Sequence, residues 1–167
     1  MECGIALGSN LGDRLAALRE AVARLSDGCG RVVAVSPVYE TEPVDCPEGS
    51  GAFLNAVVVV ESEMTPLELL RALQGIEIVM GRPAERGRNA PRTVDLDVLY
   101  VGGETWGDAE LTVPHPRVGE RRFVLAPLAA VRPALVLPGQ GRSAAELLER
   151  LGPCDGSLRL YLAEGWC

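Results

Sequence analysis

FLNAVVVVESEMTPLELLRALQGIEIVMG, residues 53–81, changes its periodicity halfway. From Phe53 to Glu61 almost every residue after Asn55 is β-branched, which predicts a central strand. Thr65-Pro66-Leu67-Glu68 then opens a helix, with Thr65 as N-cap, Pro66 at the first helical position and Glu68 at the third. Leu69, Leu70, Leu73, Ile76 and Met80 carry that helix to Gly81. Upstream, Gly4–Leu7 reads as a strand, and Gly8-Ser9-Asn10-Leu11-Gly12-Asp13 turns it into a helix that Ser9 or Asn10 can cap. Leu15, Leu18, Val22 and Leu25 share one face of it, Gly28–Gly30 ends it, and Arg31–Val38 is a Val-rich strand. Residues 39–51 are a Pro/Gly/acidic loop. Downstream, Thr93–Val101 is a fourth strand, Leu111–Val113 a short extra one, and Gly119–Val131 and Ser143–Leu151 are helices. Beyond Pro153 no pattern is assigned. The order is β-α-β-β-α-β with helical additions. It predicts an α+β, ferredoxin-like core, an antiparallel sheet with helices packed on it and extra C-terminal helices, in a single domain over 1–167.

Between the second helix and the fourth strand lies RPAERGRNAPRTVDLD, residues 82–97. Strand alternation predicts Asp95, Asp97 and Leu99 on one face and Leu96, Val98 and Tyr100 on the other. The two aspartates then stand roughly 6.5–7 Å apart at Cα. Paired carboxylates beside guanidinium groups suit Mg²⁺ and a polyphosphate. They would equally serve to neutralise the neighbouring arginines, and the pair alone leaves both readings open.

Composition narrows the class. All sixteen basic residues are arginine, which excludes a Walker-type phosphate loop and Schiff-base chemistry, both of which need a lysine. The net charge is −7, yet residues 82–92 sum to +3 and residues 117–122 to +2. A concentrated basic locus on an acidic body fits a small anionic ligand, and no nucleic-acid partner is expected. The aromatic content of 4% also argues against stacking of RNA on the sheet. The five scattered cysteines form no C-x-x-C, and they read as free thiols. No apolar run approaches the roughly 20 residues of a membrane span. The chain opens on Met1-Glu2-Cys3 and runs straight into a strand, so no secretory leader is expected and the expected location is cytoplasmic.

Several polar residues stand out against their surroundings. Gly8 is either a plain strand-to-helix turn or a ligand-facing backbone. Asn55, alone in an apolar strand, needs partners for its amide; backbone or a flat heterocycle would both serve, and Phe53 lies on the same face. Gln74 and Glu77 share a helix face that is solvated or edges a ligand. His115, between Pro114 and Pro116, is a phosphate contact or a rigid loop residue.

G-S-N-L-G-D at 8–13, Y-E-T-E-P at 39–43, F-L-N-A-V at 53–57, P-R-T-V-D-L-D at 91–97 and L-T-V-P-H-P at 111–116, followed by Arg121 and Phe123, occur in one order. In this, from about residue 4 to about residue 138, the chain resembles the 6-hydroxymethyl-7,8-dihydropterin pyrophosphokinases of folate biosynthesis. The resemblance implies transfer of pyrophosphate from ATP, as co-substrate, to the pterin hydroxymethyl group, with release of AMP. It implies two Mg²⁺ ions on Asp95 and Asp97. It places Asn55 on the pterin edge, Phe53 and Phe123 around the ring, and Gly8, Thr41 and Val44 lining it. Gln74, Glu77, Val98 and Thr112 would surround the nucleotide, His115 and Arg121 would grip its phosphates, and Arg82 and Arg92 would act near the transferring group. A monomer with small-molecule partners and no membrane is expected. Ala84 and Asn89 depart from the pattern, since many members carry an arginine and a large aromatic there. A metabolite sensor and a metal-dependent nucleotidyltransferase are the alternatives; the first leaves the aspartates without a reason, and the second would release pyrophosphate.

Overall fold

The structure, a computed structural model, describes residues 1–43, 48–81 and 93–167. Its elements run β1 (Glu2–Ser9), α1 (Arg14–Gly28), β2 (Arg31–Val35), β3 (Val38–Thr41), β4 (Phe53–Glu61), α2 (Pro66–Val79) and β5 (Asp95–Val101). Then come β6 (Trp106–Gly107), β7 (Thr112–Val113), α3 (Arg122–Val131), α4 (Ala144–Arg150) and β8 (Leu158–Leu162). The main sheet is antiparallel in the order β5-β1-β4-β3-β8, with β2 also on β4; β6 and β7 form a separate hairpin. Counting β2 and β3 as one interrupted strand gives the fourth-first-third-second order of the ferredoxin-like arrangement, with β8 added at the edge.

The two periodicities of residues 53–81 explain the layers. Leu54, Ala56, Val58 and Val60 of β4 join Ile5 and Leu7 of β1 in a core with Leu18 and Leu25 of α1 and Leu69 and Leu73 of α2. Val57 points the other way, into a second core with Val124 and Leu128 of α3 and Ala144 of α4. Each such leucine or valine contributes about 1.5–3 kcal/mol of transfer free energy. The capping box at Thr65 forms as expected: Glu68 N–H donates to Thr65 Oγ1 at 3.4 Å, and Thr65 N–H donates to Glu68 Oε2 at 2.8 Å.

Four local expectations are corrected. The cap of α1 is Asp13, whose Oδ1 accepts from Ala16 N at 3.1 Å; β1 extends through Ser9, so the helix starts later than Ser9 or Asn10 would allow. The strand over 31–38 is split at Ser36-Pro37, because proline has no N–H for the ladder. Ser36 repairs the gap: its N–H donates to Val57 O at 2.9 Å, and its Oγ accepts from Val57 N at 2.8 Å. The helix expected from Gly119 begins at Arg122, with Arg121 at its N-cap. Tyr100 does not follow Leu96 and Val98. A β-bulge at Leu99, between the pairs Gly4↔Tyr100 and Ile5↔Val98, puts both Leu99 and Tyr100 in the second core. The Tyr100 ring lies so close over Gly4 that a Cβ there would sit 2.2 Å from Tyr100 Cε1.

The tail beyond Pro153, left without a pattern by the sequence, supplies β8 on β3 and buries Trp166, whose Nε1 donates to Ser36 O at 2.8 Å. The four described cysteines are free thiols, and burial pushes Cys3 up to about 11. Among the described residues no helix is long and apolar enough to cross a membrane.

Candidate active site

Strand register assembles the site. Gly8 stands opposite Asn55 of β4 on one side and Asp95 of β5 on the other, while Asn55 stands opposite Tyr39 of β3. One row across four strands is therefore Tyr39, Asn55, Gly8, Asp95. At about 4.8 Å per strand, Asn55 and Asp95 lie about 10 Å apart at Cα, and the residue between them has no side chain. Asp97, two residues on, faces the same way opposite Ala6, and Thr41 pairs with Phe53 two residues along the β3–β4 ladder from Tyr39 and Asn55. A Cβ built on Gly8 would lie 3.7 Å from both Asn55 Oδ1 and Phe53 Cδ1, ordinary contact distances, so the glycine leaves a shallow floor beside the amide.

The amide of Asn55 is 6% exposed and has a fixed orientation. Its Nδ2 donates to Thr41 Oγ1 at 2.9 Å, which turns Oδ1 toward Gly8. Phe53 and Phe123 are partly exposed; Phe123, in the first turn of α3, has 38% of its surface open and carries the Arg121 guanidinium 5.6 Å from its ring centre.

The other end of the row is charged. Asp95 and Asp97 are half-buried, and Arg121 lies near enough to feel both. Burial lowers the proton affinity of the Arg121 guanidinium, Arg117 lowers it further, and Asp97 and Asp95 oppose that shift. His115 is tied to the bulge of β5 by its N–H, which donates to Leu99 O at 2.8 Å. Its Nδ1 accepts from Arg117 N at 3.1 Å, so in the neutral ring Nε2 carries the proton and is a hydrogen-bond donor. Burial holds His115 below the ordinary histidine range, with Arg121 and Arg117 adding to the effect. The bulge that overturns the expected phase of Tyr100 is also where the His115 loop docks on β5.

The remaining expected residues separate. Glu77 is not on a solvated helix face: it is 3% exposed, and its Oε1 accepts from Leu96 N at 2.8 Å, holding the main chain between the two aspartates. The Val98 side chain is packed in the first core. Gln74 and Thr112 are exposed; Gln74 Oε1 accepts from Arg71 Nη1 at 3.1 Å, and Arg71 bridges to Glu110 next to the β6–β7 hairpin at 2.5 Å. Val44, Arg82 and Arg92, with Ala84 and Asn89, lie outside the described residues. Sequence reasoning gives no individual role to Tyr39, in the row with Asn55, or to Arg14 and Glu40 behind it; Tyr39 and Glu40 enter only as letters of the Y-E-T-E-P motif, and nothing local marks Arg14 as their neighbour.

Two carboxylates on one face are hard oxygen donors. Among the described residues no third His, Cys, Asp or Glu completes a cage with them. Such a donor set fits Mg²⁺, which keeps coordination positions for water and substrate phosphate oxygens.

Comparison with known proteins identifies the family. The family described as 7,8-dihydro-6-hydroxymethylpterin-pyrophosphokinase (HPPK) matches residues 4–133. The chain is 48% identical over 128 residues to the 2-amino-4-hydroxy-6-hydroxymethyldihydropteridine pyrophosphokinase of Bacillus subtilis, covering 76% of this chain and 75% of that one. It is 42% identical over 159 residues to the protein of the same description from Pseudomonas aeruginosa, covering 93% and 94%. A wild-type Plasmodium falciparum HPPK-DHPS crystal structure with SDX-DHP shares the fold at a TM-score of 0.68 and 14% identity; it is matched over 89% of this chain, which spans 44% of that longer one. With bacterial relatives aligned across most of both lengths, the chain belongs to the 7,8-dihydro-6-hydroxymethylpterin-pyrophosphokinase family and is a pyrophosphokinase of folate biosynthesis.

Proposed function

We propose that the two ends of the Tyr39–Asn55–Gly8–Asp95 row divide the substrates, the pterin over β4 and β3 and the ATP phosphates over the β5 edge. The observation that carries this reading is the register that puts Asn55 and Asp95 on either side of Gly8. The hydroxymethyl group of a ring lying against Asn55 would then project toward Asp95 and Asp97.

Asn55 Oδ1, turned toward Gly8 by Thr41, accepts from the N–H groups of the pterin edge, and Phe53 and Phe123 pack on the ring faces. His115 Nε2–H and the Arg121 guanidinium donate to phosphate oxygens; Arg121 offers the planar fork that suits them. Two Mg²⁺ ions, held by Asp95 and Asp97, would supply charge neutralisation on the triphosphate. Asp95 or Asp97 can take the proton of the hydroxymethyl group as its oxygen attacks the β-phosphorus and AMP departs from the opposite side. Alignment and charge stabilisation supply the acceleration, so the residues act chiefly by holding positions. Glu77 contributes by fixing the strand between the aspartates, and Val98 by its place in that strand rather than by its side chain. Gln74 and Thr112 border the nucleotide, Val44 the pterin, and Arg82 and Arg92 act on the transferring group.

Chromatography of the products from ATP, Mg²⁺ and 6-hydroxymethyl-7,8-dihydropterin tests the reading. AMP and the pterin pyrophosphate should appear one for one and only with the metal. Release of ADP, or of inorganic pyrophosphate without pterin consumption, would contradict it.

A further inference from the structure

Behind the pterin end of the row lies an ion cluster outside the expected site. Arg14, the first residue of α1, uses one nitrogen twice: Nη1 donates to Glu40 Oε2 at 2.7 Å and to Ala52 O at 2.9 Å. Glu40 ends β3 with Thr41, and Ala52 immediately precedes β4, so one guanidinium ties together the two strand ends that flank residues 42–51. The other carboxylate oxygen of Glu40, Oε1, accepts from Arg159 Nη2 at 2.7 Å. Arg159 belongs to β8 and is the cross-strand partner of Glu40. Tyr161, also of β8, has its ring under the Arg14 guanidinium at 5.7 Å. Side-chain exposures are 18% for Glu40, 24% for Arg14 and 60% for Arg159, so the Arg14 pair is the better shielded of the two and the stronger. Trp166, donating to Ser36 O and accepting from Arg19 Nε, anchors the tail that delivers β8.

We propose that Glu40 is a positioning residue for pterin recognition, clamped by Arg14 and Arg159 so that Thr41 holds the Asn55 amide with Oδ1 toward Gly8. The C-terminal strand, which lies past residue 133 where the family match ends, thereby becomes part of the substrate site. The inference rests on the pterin reading of Asn55. Asparagine can present either its oxygen or its NH₂, and the wrong orientation faces a ring N–H with a donor. A small displacement of Thr41 therefore costs recognition without touching the phosphate end.

The test uses the full chain and a non-hydrolysable ATP analogue with Mg²⁺, measuring analogue affinity, then pterin affinity in its presence, and the thermal midpoint. Glu40→Ala should weaken pterin binding about tenfold, with analogue affinity held within about twofold. Arg159→Gln, on an exposed side chain that leaves folding intact, should weaken pterin binding about threefold. Glu40→Asp should recover part of the loss. Asn55→Ala serves as the control for the reading beneath. If it impairs pterin binding while Glu40→Ala and Arg159→Gln do not, the positioning role is overturned and the pterin reading stands. If Asn55→Ala itself leaves pterin affinity unchanged, the pterin reading falls and the role of Glu40 with it. Parallel loss of both affinities in Glu40→Ala and Arg159→Gln, with a lowered midpoint, would make the cluster purely structural.

Discussion

The β5 edge and the β3–β4 interior lie on one face of one sheet, yet they satisfy their polar groups in opposite ways. At the edge Asp95, Asp97, His115 and Arg121 are half-buried and charged or chargeable, in reach of water and ions. In the interior the polar group is a neutral amide, 6% exposed, satisfied on its NH₂ side by a single hydroxyl. The difference follows from desolvation. A carboxylate moved to the position of Asn55 would lose several kcal/mol of hydration, whereas a neutral amide needs only matching partners. On the proposed division of the site, the charged groups would face a polyphosphate and metal that arrive with their own counter-charges. The directional neutral amide would face a flat ring that excludes water. The two halves should respond differently to substitution, to pH and to ligand.

The largest expected effect is at the edge. Asp97→Ala should cut turnover by about a thousandfold or more, while the thermal midpoint stays near that of the parent. A large loss of stability with a modest loss of rate would mean that the aspartates only balance the arginine charge, and the contrast between the halves would collapse. A smaller effect is expected on the floor of the interior. Gly8→Ala places its methyl at 3.7 Å from its neighbours, so the fold should tolerate it, but pterin affinity should fall about tenfold because the methyl occupies ligand space. Equal loss of nucleotide affinity in a calorimetric titration would mean that Gly8 does not separate the two halves.

The smallest effect concerns pH. Burial first, then Arg121 and Arg117, keep the folded His115 below its ordinary value of 6.5. As pH falls through 6.5 the unfolded chain takes up a proton that the folded chain refuses, so His115 weakens folding on acidification, and its contribution levels off below the folded value. Urea midpoints across that window should show a shallower acid decline in His115→Asn than in the parent. Titration of the ring by NMR should show that the nucleotide analogue raises its proton affinity, which bound pterin alone should not do.

Much of this was legible in the sequence wherever a periodicity ran uninterrupted. The β-branched run of β4, the Thr65 capping box and the Asp95–Asp97 alternation all depend on neighbours a few residues away, and local rules reach that far. The signals that failed are those set by pairing at a distance. The bulge at Leu99 follows from Tyr100 lying over Gly4, nearly a hundred residues earlier, and it reverses the phase of β5. Local rules left Glu77 on a helix face that is solvated or edges a ligand, because nothing local reveals that Leu96 at the sheet edge needs an acceptor. Pro37 could have warned that the strand over 31–38 breaks. The alternation Leu158-Arg159-Leu160-Tyr161-Leu162 was a readable strand signal, though its outer face stays exposed. For the site, the resemblance supplied the candidate residues, and the register supplied how Asn55, Gly8, Asp95 and Asp97 stand together.

Asn55→Ala tests the division of the site most directly, because one variant reports on both halves. With the Mg²⁺–ATP analogue titrated first and the pterin second, analogue affinity should stay within about twofold of the parent while pterin affinity falls about a hundredfold. Loss of both affinities to the same degree, or of neither, would contradict a site in which β4 reads the ring and β5 handles the phosphates.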